Sequence, residues 1–350
     1  MSLPDPPAFE PWPLARGGNL QTLMAFGLPV RSPKMVSQPG FERVQVPYRD
    51  DGKGGSGVFA EGWFHPGSGE PAVLLLHGLG GSADSGYMRR AARLAADAGH
   101  AVLALNHRGS GEIEQTQLPY MAGRSEDIAD AMDWLRARAA TERILAVGFS
   151  LSGNTLLKLA GEGKEQPPEL ALAICSPVSL EDSSADLLRW PAHAYDWWLL
   201  RSCRRWVPEL RGLDPHPPQY AVPRFSSMRE FDKRYITPVW GFRSREHYYQ
   251  EASCASWLRQ IGSPAVLISA MDDPIVSGAR LAAAERSSFL QHIAIPSGGH
   301  LGFLARNPIA RGPLRWLDDC LEHYLLLAQR GGVLAHWKHS QKDQAQAPYF

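Results

Sequence analysis

The chain has few cysteines, no excess of either charge and no long apolar run, and each absence removes a class of protein. Its four cysteines, Cys175, Cys203, Cys254 and Cys320, lie far apart, without a Cys-x-x-Cys pair or a Cys/His cluster, so neither a disulfide framework nor a zinc site is indicated. Isolated cysteines in apolar surroundings are by default buried free thiols. The 36 basic residues are balanced by 36 acidic ones, which gives no electrostatic footing for nucleic acid or for broad attraction to an anionic membrane. No uninterrupted apolar stretch approaches the length of a membrane span. Met1–Pro7 lacks the basic-then-apolar order of a secretory leader, so a cytoplasmic protein without stable membrane insertion is expected. The chain also lacks internal repeats, a His-Glu-x-x-His pair and a Walker lysine. No metal and no cofactor are expected.

What the chain does have is length and punctuation. Its 350 residues can hold one large core, or a core with an inserted subdomain. Residues 1–40 are rich in Pro and Gly and read as a segment wrapping the surface. Arg43–Tyr48 and Gly57–Phe64 read as two strands of an antiparallel edge, joined by a turn at Arg49–Ser56. Strand and helix then alternate: strand Ala72–Leu76, helix Tyr87–Ala98, strand Ala101–Leu105, helix Ser125–Ala139 with Ile128, Ala131, Met132 and Leu135 on one face. Strand Arg143–Val147, helix Thr155–Ala160 and strand Leu170–Ile174 follow. Such alternation predicts a parallel sheet covered on both faces.

Between residues 176 and 261 the rhythm breaks. This stretch carries Trp190, Trp197, Trp198, Trp206, Trp240 and Trp257 among many Pro and Arg. It is too long for a loop and reads as a helical cap inserted after the sixth strand, either covering a site or adding only stability. The alternation resumes with strand Ala265–Ser269, helix Ser277–Ala284, strand His292–Ile295 and a closing helix Leu314–Ala328. The expected organisation is a core over 41–175 and 262–330, a cap over 176–261 and a polar, mobile tail over 331–350.

The chemistry gathers at the ends of strands. Gly148-Phe149-Ser150-Leu151-Ser152-Gly153-Asn154 joins an apolar strand directly to a helix. A Ser/Gly turn that merely caps a helix would look alike. Strand, small-x-Ser-x-small, helix resembles the nucleophile elbow, whose tight turn lifts the serine hydroxyl clear of the sheet. The residue two places after the serine is usually Gly, and here it is Ser152. Ser152 as the nucleophile would have Ser150 before it and Asn154 after it, a poorer elbow. An elbow serine needs a base, an acid to orient the base, and donors for an oxyanion, in the chain order Ser, acid, His. After the seventh strand stands Ala270-Met271-Asp272-Asp273-Pro274, where Asp273 is favoured as the acid and Asp272 is either the acid or a loop cap. After the eighth stands Pro296-Ser297-Gly298-Gly299-His300-Leu301-Gly302-Phe303, which offers His300 between glycines. Oxyanion donors are expected from the N–H of Leu151 and from that of Leu79, in His77-Gly78-Leu79-Gly80-Gly81-Ser82 after the third strand. That loop lacks the spacing of a phosphate cradle. His77 is expected to shape it, His107 to sit near the pocket wall, and His193, His216 and His247 to lie in the cap.

These pieces resemble the YheT-like branch of the α/β-hydrolases, the AB hydrolase 4 family. The resemblance runs from about Pro11 to Leu326. Beyond the motifs above it rests on Asn19-Leu20-Gln21-Thr22-Leu23, His107-Arg108-Gly109-Ser110-Gly111-Glu112, Phe231-Asp232, Gly241-Phe242 and Tyr248-Tyr249. It implies an α/β-hydrolase fold with a mostly parallel eight-stranded sheet. It implies a serine-dependent carboxylic ester hydrolase acting through an acyl-enzyme on short- to medium-chain or lipid-like esters. The triad implied is Ser150, Asp273 and His300, with Leu79 and Leu151 at the oxyanion hole. An acyltransferase making esters from alcohols shares that triad, and a non-catalytic binding protein on the same fold is the reading that Ser152 favours. Asn19 and Met121 stand where the family commonly has histidine, which bears on substrate contacts rather than on the triad. The tryptophan-rich cap suggests an apolar acyl pocket.

Overall fold

The computed structural model describes residues 3–29, 32–49, 58–111, 120–204, 226–307 and 314–330, together with Val333 and Trp337. Eight strands form: β1 (Glu42–Pro47), β2 (Phe59–His65), β3 (Gly69–Leu76), β4 (His100–Leu105), β5 (Ile144–Phe149), β6 (Leu170–Ile174), β7 (Ala265–Ala270) and β8 (Leu290–Ile295). They make one sheet in the order β1-β2-β4-β3-β5-β6-β7-β8. β2 runs antiparallel to both of its neighbours, and every pair from β4 to β8 is parallel. This is the mostly parallel eight-stranded sheet that the resemblance implies.

Side chains alternate across a strand, so each strand feeds two cores. Leu74 and Leu76 of β3, with Ile144 and Ala146 of β5, belong to one buried cluster. Val73 and Leu75, with Leu145 and Val147, belong to the other. The first face is covered by α3 (Ser125–Ala139) and α4 (Leu151–Glu162), the second by α2 (Gly86–Asp97) and α11 (Trp316–Gln329). In α3 the expected face, Ile128, Ala131, Met132 and Leu135, is buried. Glu126 and Asp127 in its first turn and Arg136 and Arg138 in its last complement the helix dipole.

Between β6 and β7 the described residues form helices and no strand. They are α5 (Leu180–Leu187), α6 (His193–Cys203), α7 (Met228–Phe231), a π turn at Asp232–Ile236, α8 (Thr237–Val239), α9 (Arg245–Ala252) and a 3-10 turn at Ala255–Gln260. The α10 helix (Gly278–Ala283) connects β7 to β8. Trp206 and His216, most of the expected turn at Arg49–Ser56, and most of the tail lie outside the described residues. Within that tail Val333 and Trp337 are buried, the latter stacked on Phe289 with ring centroids 5.8 Å apart. The helix expected from Leu314 starts at Trp316. Leu314–Arg315 pairs instead as β10 with β9 (Leu304–Ala305). Among the described residues no helix is long and apolar enough to cross a membrane.

The N-terminal segment does more than wrap the surface. Phe9 packs edge-on against Phe303 and Trp316, with centroids 5.8 and 5.4 Å away, and Pro11 bridges to Ala305. The chain then forms α1 (Gly18–Gly27), whose Gln21 is fully buried. Gln21 Nε2 donates to the carbonyls of Ala15 (2.8 Å) and Leu304 (3.1 Å), and its Oε1 accepts from Leu304 N–H (2.7 Å). One side chain thus ties α1 to the strand that follows the histidine loop. Replacing Gln21 by Ala strands the buried Leu304 N–H, and we expect a loss of about 2–4 kcal/mol in urea unfolding. An unchanged midpoint would mean that α1 is held by other contacts.

Candidate active site

The β5–α4 turn forces Ser150 into φ 54°, ψ −122°, a region that L-residues rarely occupy. Its N–H donates to Ile174 O at 2.7 Å, which anchors the turn to β6. The turn is so tight that a Cβ on Gly148 would lie 2.7 Å from Gly153 Cα, and one on Gly153 would lie 1.7 Å from Ser176 Oγ. Glycine is therefore needed at both positions. Because Ser150 ends in this conformation, α4 begins at Leu151, earlier than the helix expected from Thr155. Asn154 fixes α4 from the far side: its Nδ2 donates to Ala252 O and its Oδ1 accepts from Cys254 N–H, both at 2.8 Å.

The expected base and acid meet this serine. His300 Nε2 lies 3.0 Å from Ser150 Oγ, and its Nδ1 lies 2.9 Å from Asp273 Oδ2. The other Asp273 oxygen accepts from Ile275 N–H (2.8 Å) and Val276 N–H (2.9 Å), which fixes the carboxylate plane. The alternative left open by sequence, Asp272, is a loop cap: its Oδ1 accepts from the N–H groups of Gly298 (2.9 Å) and Gly299 (3.0 Å). It holds the backbone of the histidine loop while Asp273 holds the ring.

That loop also leans on α1. His300 N–H donates to Thr22 Oγ1 (2.8 Å), and Thr22 in turn donates to Gly18 O (2.7 Å). A Cβ on Gly18 would lie 1.7 Å from Asp272 O, and one on Gly299, at φ +60°, would lie 2.3 Å from Gly18 O. Local periodicity gives no hint of this brace. The only signal for it in the sequence is the Asn19–Leu23 motif.

The loop after β3 lies against the elbow because Leu76 is paired with Gly148. A Cβ on Gly78 would lie 3.0 Å from Ser150 Cβ, and Gly78 N–H is held by Tyr87 Oη at 3.0 Å. Among the described residues, the N–H groups of Leu79 and Leu151 have no protein acceptor. Both residues line the same cavity as Ser150 and His300.

The Ser152 hydroxyl is fully buried and turned away from that cavity. It donates to His77 O and contacts His107 Nε2 at 2.6 Å. His107 N–H in turn donates to His77 Nε2 at 3.1 Å. Burial pushes the His107 imidazole down to about 4 and holds His77 well below the ordinary histidine value, so both rings are neutral at pH 7. Ser152 is thus a packing residue behind the elbow, His77 holds the loop as the sequence suggests, and His107, expected near the pocket wall, lies behind it and is not among the cavity residues.

The cavity has a volume of about 280 Å³ and its cap side is walled by residues such as Leu187, Leu199, Phe231, Ile236 and Tyr248. It is apolar as expected, but among the described residues Trp198 is the one tryptophan in its wall. Trp190 is 83% exposed, Trp197 53% and Trp198 42%, and Trp240 is buried with the Arg124 guanidinium 5.0 Å from its ring centroid. Of the cap tryptophans among the described residues, only Trp198 reaches the wall, where it meets Phe26 of α1 at 5.6 Å. Asn19 accepts from Tyr195 Oη (2.8 Å), and neither Asn19 nor Met121 lines the cavity.

All four cysteines are buried and free. Cys175 follows β6 at φ 51°, and its Sγ lies within 4.8 Å of the His300 and Asp273 ligand atoms. Three such atoms also make a set that a metal could use. Here the ring and carboxylate already bond each other, and burial first, then the Asp273 charge, keeps the thiol protonated. The set suits proton sharing better than metal ligation. Sequence reasoning had no signal that would place Cys175 here.

A family profile described as the alpha/beta hydrolase fold matches residues 71–306. YheT of Escherichia coli is 27% identical over 262 residues, covering 73% of this chain and 76% of YheT. The zebrafish protein named monoacylglycerol lipase ABHD2 is 23% identical over 327 residues, covering 88% of this chain and 75% of its own length. The human protein named phospholipase ABHD3 is 26% identical over 245 residues, 67% of this chain, and the match spans 59% of that longer protein. Among solved structures, the Pyrococcus furiosus esterase Pf2001 superposes with a TM-score of 0.52 at 15% identity, over 83% of this chain and 90% of that one. Likeness at that identity speaks to the fold.

Two outcomes follow from the buried histidine pair. Ser152→Gly removes a hydroxyl that bonds both His77 O and His107, and is expected to cost about 1–3 kcal/mol in chemical unfolding while leaving Ser150 in its elbow. An equally stable variant would show that the hydroxyl is dispensable. His107 stays neutral when folded and gains a proton when unfolded, so its contribution is present above pH 6.5 and is lost as pH falls toward 4. Between pH 7 and pH 5 the His107→Gln variant should therefore lose about 2 kcal/mol less stability than the parent. Equal losses in paired urea titrations would refute the neutral ring.

Proposed function

The chain belongs to the α/β-hydrolase fold family, in its YheT-like branch, and on that footing we propose that it is a serine-dependent carboxylic ester hydrolase. The observation that carries this reading is the unbroken hydrogen-bond chain from Asp273 through His300 to Ser150, 2.9 and 3.0 Å long, at the wall of an apolar cavity. Ser150 Oγ adds to the ester carbonyl carbon as its proton passes to His300 Nε2, and Asp273 stabilises the resulting imidazolium. The negative charge that develops on the carbonyl oxygen is met by the N–H groups of Leu79 and Leu151. Donors of this kind, fixed before the reaction starts, are worth roughly 10²–10³ each in rate. Collapse of the tetrahedral intermediate breaks the ester C–O bond, and the departing alcohol takes the proton from His300. Water then attacks the acyl-serine, with His300 as base, and releases the acid.

The apolar wall favours short- to medium-chain or lipid-like acyl groups over charged ones. The names of the relatives, a monoacylglycerol lipase and a phospholipase, support the same class. The reading of a non-catalytic protein rested on Ser152, whose hydroxyl is taken up by His77 and His107 and leaves the elbow intact.

With p-nitrophenyl esters from acetate to palmitate, the parent protein should show a chain-length optimum. Ser150→Ala should lose at least about 10⁴-fold in turnover, since triad members act as a unit. A fluorophosphonate probe should label Ser150 in the folded protein. Turnover that survives in Ser150→Ala, or folded protein that resists the probe, would overturn the assignment.

A further inference from the structure

One polar group in the cavity has no part in the chemistry above. Asp232 opens the π turn after α7 and lines the cavity, whose wall also includes Leu199, Met228, Phe231, Tyr235 and Ile236. Its Oδ2 accepts from Tyr249 Oη at 2.7 Å. Among the described residues, Oδ1 receives no hydrogen bond. Asp232 is half-buried, with the charges of Asp196, Arg245 and Arg229 acting on it. Withdrawing a carboxyl from water costs free energy unless its oxygens are matched, and here one of the two is. Space filling alone would be served better by Leu or Met at that position. Tyr120, Tyr235, Tyr248, Tyr249, Ser183 and Ser184 also line this cavity, and Asp232 is its carboxylate. A few placed polar groups in a largely apolar wall are the usual means by which a pocket orients its ligand.

We propose that Asp232 is a specificity-determining residue whose Oδ1, left without a hydrogen bond, pairs with a hydroxyl on the arm of the ester that fills the cap side of the pocket. Burial holds this carboxyl up at about 7, so that acid and anion are both present near neutrality. A hydroxyl matches both forms, because it donates to the anion and accepts from the acid. A cationic arm matches only the anion, since the acid offers it no charge; of the charges around Asp232, that of Asp196 favours a cation and those of Arg245 and Arg229 oppose it.

The turnover test rests on the ester-hydrolase reading, and a binding test runs beside it. Methyl decanoate is compared with its analogues hydroxylated at successive carbons, and propyl decanoate with monodecanoylglycerol. The readout is the ratio of kcat/KM for each hydroxylated ester to that of its plain partner. The parent should favour at least one hydroxylated ester by roughly tenfold or more, because a site built for a hydroxyl rejects the analogue lacking it. Asp232→Leu should bring that ratio close to one, and Asp232→Asn and Tyr249→Phe should lower it partway. If Asp232→Leu does not fold, the Asn and Phe variants, checked by their melting temperatures, carry the comparison. The same pairs are titrated calorimetrically against full-length Ser150→Ala protein, so a failure of turnover leaves the preference readable. No hydroxyl preference in the parent, an unchanged ratio in the variants, an equal loss on all esters, or a preference for amine-bearing analogues would each overturn the proposal.

Discussion

The backbone at Ser150 is held at φ 54°, ψ −122°, a conformation costing about 1–3 kcal/mol that persists only where the surroundings leave no alternative. Those surroundings are the contact of Gly148 with Gly153, the packing of Gly153 on Ser176 and the hydrogen bond from Ser150 N–H to Ile174 O. The rest of the site depends on this turn. It starts α4 at the next residue, which leaves Leu151 N–H without an acceptor. It turns Ser152 into the packing beneath the loop after β3. It also aims Asn154 at the loop after α9, so the helical insertion is hydrogen-bonded to the elbow helix itself.

The two acidic residues after β7 divide their work by direction. Asp273 gives one oxygen to the His300 ring and the other to two backbone N–H groups, so its plane is set before any substrate arrives. Asp272 gives an oxygen to the backbone of Gly298 and Gly299. The ring and the loop that carries it are thus fixed from one strand end. A histidine pair, His77 and His107, is kept neutral by burial and braces the loop after β3. The sheet register sets Leu76 beside Gly148, which brings that loop against the elbow.

The strands were legible because each is a short apolar run bounded by Gly, Pro or charged residues. Counting strands was enough to find Asp273 and His300, since each lies only a few residues past the end of its strand. What escaped reading was non-local. The α1 helix leaves Leu20, Leu23 and Phe26 exposed and exists for the polar contacts of Gln21 and Thr22, whose partners lie at the other end of the chain. The cap tryptophans counted toward an apolar pocket, but the direction in which a side chain points is not written in a residue count. Trp190 and Trp197 face outward while leucines and tyrosines form the wall. Ser152 looked like a flaw in the elbow because its partners, His77 and His107, come from other strand ends.

The brace between α1 and the histidine loop spans 278 residues from Thr22 to His300, and 283 from Gln21 to Leu304. A ribosome makes these partners far apart in time. While the chain is being translated, the elbow serine emerges early and remains without its imidazole through the synthesis of the whole helical insertion, β7 and β8. Thr22 waits equally long for the N–H it accepts. Any nascent or prematurely terminated chain that stops short of residue 300 carries the serine but neither the ring nor the brace. The order of synthesis therefore keeps the Ser150–His300–Asp273 contact unassembled until both distant segments are present.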